Sequence, residues 1–374
     1  MDTYEFDVVV IGAGIAGSTV AAALAPDDSV ALLEAEEAAG YHTTGRSAAM
    51  WIQTYGPPDV QHLTGLSRSF LMSPPAGFSE APLLSPRPEV LVAPEAQRAE
   101  LETALSDGLR PLPLDELRVM IPAMRPDYAV LAAIQDDAFD IDVAALHQGY
   151  LRQLRAHGGV LALRNRAGRI ERRNGVWEAH TSAGDLFRAP TVVNAAGSWG
   201  DEVAEIAGVV PLGLKPCRRT GLIIDPQPWR VEHWPMICDV GETWYARPEA
   251  RTRLMVSPAD QTPMHAHDVQ PDELDIAIAI DRMQMALDID VRRVERSWAG
   301  LRTFSPDGSL AFGWAPAVPG FFWCVGQGGY GIQTSPAAGR VCADLILRRD
   351  PGPAGEIIAA IDPARFTAPA GRPT

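Results

Sequence analysis

The chain has 374 residues, of which 47% are hydrophobic and 21% are charged. At about 150 residues per domain, this length predicts two to three domains, and a core of that size needs no disulfide to hold it. The 47 acidic and 32 basic residues leave a net charge of −15. That excess argues against a nucleic-acid-binding protein and against one held on anionic membranes by basic patches.

The four cysteines are widely spaced and form no C-x-x-C pair. This spacing argues against zinc knuckles and a disulfide framework, and it predicts a reducing, cytoplasmic compartment. The uncharged run 8–25 reaches about the minimum length of a membrane span, but it contains three glycines and follows an acidic leader. A signal peptide begins with basic residues. We therefore interpret the run as a buried strand and helix and expect no membrane span.

The first elements in chain order predict a βαβ unit. A β-branched run at 6–11 is typical of a central parallel strand, an alanine-rich helix extends to about Ala25, and the apolar run 30–33 predicts a second strand. Residues 40–56 lack a clean period and are interpreted as a functional loop with a short helix. The proline-dense stretch 74–88 is expected to be a connector.

The rest of the chain predicts alternating helices and strands. Asp142 is expected to cap a helix that Gly158 and Gly159 close, and Asn174-Gly175 predict a hairpin turn inside a small β-insert at 160–181. The other predicted elements are a surface helix at 95–106, a buried strand at 191–197, a helix at 271–287 with 276–280 also suited to a strand, a strand at 321–325, a last helix at 335–348 and a loosely ordered tail after 351.

The motif Gly12-Ala13-Gly14-Ile15-Ala16-Gly17 follows the first predicted strand and opens the first helix. In a dinucleotide site the first glycine allows a tight turn, the second lets the backbone approach a pyrophosphate, and the third lets the helix pack on the strand. The pyrophosphate then meets the free N–H groups at the helix N-terminus. Glu34, at the end of the second strand, is placed to accept hydrogen bonds from both ribose hydroxyls. The alternative is a glycine-rich turn that binds nothing.

A second glycine-rich helix start lies near the C-terminal end, in the stretch Gly328-Gly329-Tyr330-Gly331-Ile332-Gln333-Thr334. It favours FAD over NAD, because a helix N-terminus stabilises the negative charge that reduction leaves at flavin N1 and O2. The alternative is a hinge loop.

Several stretches resemble the D-amino-acid oxidase/glycine oxidase family of FAD enzymes and, within it, the bacterial FAD-dependent D-arginine dehydrogenases. These stretches are residues 40–49, 82–89, 146–152, 192–199, 298–302 and 328–334. The likeness covers essentially residues 5–348. It implies an α/β fold, with a glutathione-reductase-like (Rossmann-type) FAD-binding domain and an inserted α+β substrate domain on a mixed antiparallel sheet.

The resemblance also implies domain limits and a set of cofactor contacts. The FAD-binding domain would comprise residues 1–49, 142–210 and 300–366, the substrate domain residues 50–141 and 211–299, and a tail residues 367–374. The FAD is expected to be bound non-covalently, because no cysteine falls near Arg302 in the sequence. The residues implied to contact it are Gly12, Ala13, Gly14, Ile15, Ala16, Gly17, Glu34, Ala35, Thr43, Thr44, Gly45, Arg46, Ser47, Ala48, Ala49, Met50, Ala167, Gly197, Gly328, Gly329, Tyr330, Gly331, Ile332 and Gln333.

Two arginines are the candidate partners of a substrate carboxylate. A planar guanidinium binds a carboxylate bidentately, and the resemblance places Arg219 and Arg302 at the carboxylate positions. For Arg218-Arg219, a solvated basic pair is the alternative. The resemblance further implies that Tyr55 and Tyr245 contact the substrate.

The resemblance assigns the other parts of an amino-acid substrate as well. Glu89 would meet the cationic end of a side chain, and the Gly329 carbonyl would accept a hydrogen bond from the amine. Glu242 would lie in a loop that closes over the substrate. For Glu89, a surface acid at a strand edge is the alternative.

One departure from the family concerns the amine. Where the family has a histidine and, two positions on, a threonine, this chain has Met50 and Ile52. A thioether and a branched alkyl group can neither hold the amine nor tune its protonation. The amine is therefore deprotonated in water before binding, or the substrate is N-substituted or less polar near its amine.

The function expected from the sequence is FAD-dependent oxidative deamination of a D-amino acid, with a cationic side chain favoured. Hydride would pass from Cα to flavin N5, and the imino acid would hydrolyse to a 2-oxo acid and ammonia. The expected partners are the small-molecule substrate and an electron acceptor, which is O₂ or another oxidant. Two alternatives stay open: an oxidase of secondary amines or N-alkyl amino acids of the sarcosine type, and a flavoprotein subunit without turnover.

Overall fold

The β-branched run near the N-terminus forms the inner strand Val8–Ile11, which is buried along its whole length. The structure, a computed structural model, describes residues 2–106 and 109–366. Around this strand lies a six-stranded sheet in which five strands are parallel and the last is antiparallel. In sheet order its strands are Val160–Ala162, Val30–Leu33, Val8–Ile11, Thr191–Asn194, Phe321–Val325 and Ala311–Trp314.

A second, ten-stranded sheet is antiparallel except for one parallel pair, Glu89–Ala93 with Met236–Asp239. In sheet order its strands are Gln327–Gly328, Val294–Phe304, Lys215–Ile224, Arg253–Ser257, Tyr245–Glu249, Met236–Asp239, Glu89–Ala93, Leu131–Gln135 and Arg110–Pro111, and Thr262–Pro263 pairs with Lys215–Ile224.

Two smaller sheets complete the β-structure of the described residues. The three-stranded sheet contains, in order, Met50–Ile52, Ala138–Ile141 and Leu84–Pro86. The four-stranded sheet contains, in order, Thr3–Glu5, Leu186–Ala189, Val176–Thr181 and Ala167–Arg173.

The helix Ile15–Leu24 packs against two other helices, Gly331–Ile346 and Val143–Ala156, and shares one buried cluster with the six-stranded sheet. The remaining α-helices of the described residues are Pro58–Met72, Arg98–Ser106, Leu114–Met120, Gly200–Ile206, Glu273–Ala286 and Ile358–Ile361. None of the helices in residues 2–106 and 109–366 combines the length and the hydropathy that a bilayer span requires.

The two faces of the ten-stranded sheet have different roles. Residues directly opposite each other on paired strands point to the same face, so Val90, Ile237, Ala246 and Leu254 share one face, and they pack with the helix Glu273–Ala286 in one buried cluster. The residues that alternate with these along the strands point to the opposite face. Their side chains do not pack against this helix and are available to form a site.

Several local predictions are confirmed. The Asp142 carboxylate accepts a hydrogen bond from the Ala145 N–H at 2.8 Å and caps the helix Val143–Ala156. The hairpin closes at Asn174-Gly175, with Arg173 opposite Val176. The stretch that suited either a helix or a strand is the helix Glu273–Ala286.

Other predictions are wrong at their boundaries or partners. The last helix begins at Gly331 and not at Ser335, since the glycine-rich stretch itself forms the first turn. Val160–Ala162 joins the six-stranded sheet beside Val30–Leu33 and not the β-insert. The chain after 351 is helical as far as Phe366, because Ala354, Ile357 and Ile361 are buried against the main core.

Several elements had no counterpart in the sequence-based prediction, and three of them lie between residues 50 and 86. These are the strand Met50–Ile52 inside the expected loop, the strand Leu84–Pro86 inside the expected connector, and the helix Pro58–Met72. The domain division stays a prediction, and the strand Val294–Phe304 runs across its limit at residue 300. The expected tail at 367–374 lies outside the described residues.

Candidate active site

The glycines of the first motif are required by close backbone contacts. Gly12 has φ of +101°, and a Cβ there would lie 2.6 Å from the Ala195 carbonyl oxygen. A Cβ on Gly17 would lie 1.9 Å from the Gly12 carbonyl oxygen, so no other residue fits where the helix meets the strand. The turn and the helix packing expected for a dinucleotide loop are therefore both present.

Glu34 is tied to this loop. Its carboxylate accepts hydrogen bonds from the N–H of Ala13 at 3.0 Å and from the N–H of Glu36 at 3.0 Å, and its side chain is 9% exposed. A carboxylate has about four acceptor positions, so Glu34 can still accept from ribose hydroxyls. The Thr44 hydroxyl accepts from the Ile15 N–H at 2.9 Å and thereby joins the loop after Gly40 to the helix start.

One cavity of about 430 Å³ connects these features with the predicted substrate side. The predicted site residues in its wall are Gly12, Gly14, Ile15, Ala16, Glu34, Ala35, Thr43, Thr44, Arg46, Ser47, Ala48, Ala167, Gly197, Arg219, Tyr245, Arg302, Gly328, Gly329, Gly331 and Ile332. The predicted residues that do not line it are Ala13, Gly17, Gly45, Ala49, Met50, Tyr55, Glu89, Tyr330 and Gln333.

Physical reasons keep several of these residues out of the wall. Gly17 faces Gly12, and a Cβ on Gly45 would lie 2.7 Å from the Gly40 carbonyl oxygen. The Gln333 amide donates to the Thr64 hydroxyl at 3.0 Å and is only 3% exposed. Its cofactor contact stays a prediction.

The arrangement fits a dinucleotide cofactor with a flavin at its far end. The starts of two helices, Ile15–Leu24 and Gly331–Ile346, line the same cavity, so each can meet negative charge. A Cβ on Gly14 would lie 3.2 Å from the Thr44 hydroxyl, and a Cβ on Gly329 would lie 2.8 Å from Arg302 Nη1. Both glycines thus keep the cavity open. In the described part of the chain, no group of three His, Cys, Asp or Glu side chains is arranged to hold a metal ion.

Strand register brings the substrate-side residues onto one face of the ten-stranded sheet. Arg302 lies opposite Cys217, Arg219 lies two residues further along that strand, and Tyr245 lies opposite Cys238. Glu89 lies opposite Met236, two residues before Cys238 on its strand. Diagonal neighbours of this kind have their backbones about 7–8 Å apart, so Arg219 and Arg302 can bind one ligand together.

Arg218 and Arg219 have opposite roles. Arg218 is held by Asp275 at 2.6 Å, by Asp272 at 3.5 Å and by Asp260 at 3.6 Å. Arg219 lines the cavity and forms no ion pair among the described residues, and its Nε is buried without a hydrogen-bond partner. The solvated basic pair is therefore wrong: one arginine is anchored and the other is free for an anion.

Arg302 is surrounded by phenol groups. Its Nη1 donates to the Tyr55 hydroxyl at 3.2 Å, and like Arg219 it forms no ion pair within the described residues. Burial lowers the pKa of the Arg302 guanidinium, but the Tyr55 and Tyr245 phenols outweigh it and hold that pKa above its ordinary value. Burial and the Tyr55 phenol raise the pKa of Tyr330 to about 12. Arg302 is therefore charged and Tyr330 neutral at physiological pH.

Glu89 is a partly buried carboxyl group without a cation beside it. Burial and the negative charge of Glu242 raise the pKa of Glu89 to about 7. Neither Glu89 nor Glu242 forms an ion pair within the described residues. A carboxylate in such surroundings is stabilised by any cation that reaches it.

The two residues that depart from the family form an apolar cluster. Met50 is 8% and Ile52 is 5% exposed, and they pack with Ala138, Tyr55 and Met236. Met50 and Ile52 thus form a buried apolar surface beside Tyr55.

The sequence did not single out two residues near the cofactor cavity. His147 is 5% exposed and donates from Nε2 to the Ala13 carbonyl at 3.0 Å, directly under the dinucleotide loop. The sequence signal that could have identified His147 is its position in the stretch 146–152, which resembles the family. Trp298 lines the cavity and donates from Nε1 to the Arg46 carbonyl at 2.9 Å.

No cysteine falls near Arg302 in the sequence, but one lies close to it in the fold. Cys217 is the cross-strand partner of Arg302, a pairing that sequence separation conceals. Cys217, Cys238, Cys324 and Cys342 are all buried, however, and none of them lines the cavity.

Solved structures share this fold over nearly the whole chain. Glycine oxidase from Geobacillus kaustophilus superposes with a TM-score of 0.83 at 20% identity, covering 99% of this chain and 100% of that one. L-proline dehydrogenase from P. horikoshii superposes with a TM-score of 0.82 at 18% identity, covering 98% and 99%.

Relatives are also found by sequence. Glycine oxidase of Pseudomonas aeruginosa is 28% identical over 204 residues, which are 51% of this chain and 48% of that protein. FAD-dependent oxidoreductase domain-containing protein 1 of Bos taurus is 26% identical over 178 residues, or 42% of this chain, and the match spans only 35% of that protein. The DAO family model, described as FAD dependent oxidoreductase, matches residues 7–345. The chain therefore belongs to the DAO family of FAD-dependent oxidoreductases.

Proposed function

We propose that the protein oxidises the Cα–N bond of an amino acid, with D-amino acids carrying a cationic side chain as its preferred substrates. The observation that carries this proposal is the pair Arg219 and Arg302: both residues line the cavity, and neither forms an ion pair within the described residues. A partly buried cation needs an anion, and a substrate carboxylate supplies one. The D configuration and the likeness to D-arginine dehydrogenases rest on the sequence stretches alone.

The side chains on the sheet face orient the substrate. Arg302, held by the Tyr55 hydroxyl, and Arg219, whose guanidinium carbon lies 6.0 Å from the Tyr245 ring centre, bind the carboxylate. Met50 and Ile52 present apolar surface to the amine end. When bound, FAD supplies the acceptor for the two electrons that leave the substrate. The substrate loses the hydrogens of Cα and nitrogen to form an imino acid, which water converts to a 2-oxo acid and ammonia.

Glu89 and Glu242 support the preference for a cationic side chain. The two acids are close enough for Glu242 to raise the pKa of Glu89, and neither acid forms an ion pair within the described residues. A guanidinium or ammonium group on the substrate would pair with Glu89, whereas an apolar side chain would leave the carboxylate unpaired.

The apolar cluster around Met50 favours a second candidate, oxidation of secondary amines or N-alkyl amino acids of the sarcosine type. A methyl group on the nitrogen would contact the Met50 thioether and the Ile52 side chain without displacing a polar partner. A steady-state screen separates the candidates when D- and L-amino acids and N-methyl amines are each tested with O₂ and with an artificial acceptor. Turnover of N-methyl substrates alone would favour the second candidate, and turnover of none would favour a subunit without activity.

The pH profile tests the absence of a base at the amine end of the substrate. In the Glu89→Gln variant, which removes the titration of Glu89, kcat/KM for an apolar D-amino acid should rise with pH and follow the pKa of that substrate's own amine, because Met50 and Ile52 cannot accept its proton. Met50→His places an imidazole there, so an added inflection at about pH 6–7 is expected. In Glu89→Gln, an inflection at the same pH for amines of different pKa would contradict this account.

Release of the cofactor tests the proposed non-covalent attachment. Acid or heat precipitation of the yellow protein should release all of its flavin into the supernatant, because no described cysteine lines the cavity. Chromatography should identify the released flavin as FAD and not FMN. Flavin that stays with the precipitated chain would contradict the proposal.

A further inference from the structure

Two chain segments cross from the ten-stranded to the three-stranded sheet at one seam. Leu131–Gln135 pairs in the ten-stranded sheet, and Ala138–Ile141 pairs in the three-stranded sheet. In the same way Glu89–Ala93 belongs to the larger sheet and Leu84–Pro86 to the smaller. Met50 and Ile52, which we call the amine-end wall, belong to the smaller sheet. The spacing of the two sheets at this seam therefore sets the distance between the amine-end wall and the residues of the larger sheet.

Three charged side chains, Arg87, Asp140 and Arg247, join the sheets there, and we call them the seam triad. Arg87 Nε donates to Asp140 Oδ2 at 2.7 Å, and Arg247 Nη1 lies 3.1 Å from Asp140 Oδ1. Their side chains are 17%, 16% and 13% exposed. Salt therefore screens the triad far less than it screens an ion pair on the surface.

Each member of the triad lies next to a residue of the proposed substrate side. Asp140 is directly opposite Met50 on the paired strand, so the two side chains share a face. Arg247 lies two residues after Tyr245 on the same strand and face. Arg87 lies two residues before Glu89.

Backbone contacts extend the triad to the neighbouring segments. Arg87 Nη1 donates to the Trp234 carbonyl at 2.6 Å, close to the start of the strand Met236–Asp239. Arg247 Nη1 donates to the Ala49 carbonyl at 3.5 Å, next to Met50. The triad therefore ties together the segments that carry Met50, Glu89 and Tyr245.

We propose that the seam triad fixes the distance between the amine-end wall and the two arginines that bind the carboxylate, Arg219 and Arg302. Asp140 is the central positioning residue. This inference rests on the proposed function, because it concerns the placement of the substrate Cα–N bond. The carboxylate is bound by Arg219 and Arg302, which do not belong to the triad. Loss of the triad misplaces the reacting bond and leaves the carboxylate contact in place.

Asp140→Asn tests the triad, because it keeps the shape of the side chain and removes the charge that both arginines meet. The kcat for D-arginine should fall by about 10-fold to 100-fold, as expected for a reacting group displaced by roughly 1 Å. KM should change by less than about threefold, since binding through the arginine pair is unaltered. Removing the charge between two largely buried guanidinium groups should also lower Tm, so kcat is measured well below the Tm of the variant. FAD content should stay near the wild-type value, and the change in kcat at constant KM is the readout that a merely structural role would not give.

Asp136→Asn is the matched control, in the bend between the strands Leu131–Gln135 and Ala138–Ile141. It removes the Arg110–Asp136 pair, whose side chains are 51% and 58% exposed, and kcat should stay within about twofold of wild type. Arg247→Met added to Asp140→Asn should cause no further loss, because both changes act on one network. If Asp140→Asn does not fold, Arg247→Lys, which keeps a charge but not the planar fork, should show the same fall in kcat at constant KM.

Three results would overturn the proposal. They are a kcat for Asp140→Asn no lower than that of the control, a loss that disappears when activity is normalised to FAD content, and independent, additive losses in the double variant. Wild-type protein that oxidises no amino acid would contradict the proposed function and the triad's role with it. Active wild-type protein with an unaffected Asp140→Asn variant would contradict the triad alone.

Discussion

Replacing Arg302 or Arg219 by methionine is expected to lower kcat/KM for the amino-acid substrate by roughly 30-fold to several thousand-fold. Each change leaves a buried substrate carboxylate without one of its two cationic partners, and truncation of a buried, hydrogen-bonded charge pair costs about 2–5 kcal/mol. At 1.4 kcal/mol per factor of ten, this range gives the stated loss. Steady-state kinetics on FAD-loaded protein measures it.

The same variants should keep their flavin, since the dinucleotide loop and Glu34 lie elsewhere in the cavity wall. Arg293→Met is the matched control, because the Arg293 side chain is 79% exposed and its one ion pair within residues 2–106 and 109–366 is with Glu295, at 3.7 Å. Losses of tenfold or less in both cavity variants would mean that the carboxylate is bound elsewhere.

The second large effect concerns Glu89. Glu89→Gln should lower the ratio of kcat/KM for D-arginine to kcat/KM for D-leucine by roughly 5-fold to 100-fold. The reason is that an apolar substrate side chain leaves the wild-type Glu89 carboxylate unpaired, at a cost of about 1–3 kcal/mol. The neutral amide of the variant does not carry this cost. Glu102→Gln, at a side chain that is 58% exposed, is the control. An unchanged ratio would make Glu89 a strand-edge acid without a role in selection.

The pH dependence of this ratio has a definite direction. Because the pKa of Glu89 is raised to about 7, the carboxyl group is neutral below that pH and attracts no cation. The preference for D-arginine should therefore grow as the pH rises through about 7 in the wild type, and it should be flat in Glu89→Gln.

Stability should vary with pH in the opposite sense. A carboxyl group whose folded-state pKa is raised stabilises the fold below its unfolded pKa, and this contribution is lost as the pH rises through the folded value. The shift of the Glu89 pKa from 4.5 to about 7 corresponds to a change of up to about 3 kcal/mol in the free energy of unfolding. Glu89→Gln should thus be more stable than wild type at pH 8 and similar at pH 4, as measured by denaturant unfolding. Equal stability at both pH values would contradict the raised pKa.

The dinucleotide loop could be predicted because its determinants are consecutive in the chain. Gly12, Gly14 and Gly17 lie between one strand and one helix, so spacing alone reveals the turn and the packing. The cap at Asp142 and the hairpin at Asn174-Gly175 were equally accessible, since each is decided within a few residues.

Residues whose partners are distant in the chain could not be placed in this way. Arg218 and Arg219 are adjacent in sequence, yet only the register of Lys215–Ile224 shows that one is anchored and the other lines the cavity. His147 and Ala13 are 134 residues apart. The seam triad depends on the pairing of strands from two sheets, for which the sequence carries no local signal.

Anaerobic reduction of the bound flavin tests the central proposal most directly, because it needs no electron acceptor and no product assay. Mixing the FAD-loaded protein with D-arginine, D-lysine, D-leucine and their L-forms should bleach the flavin absorbance, fastest with the cationic D-amino acids. Arg302→Met should abolish or greatly slow the bleaching. Flavin that stays oxidised with every amino acid would contradict the assignment of this site to oxidation of the Cα–N bond.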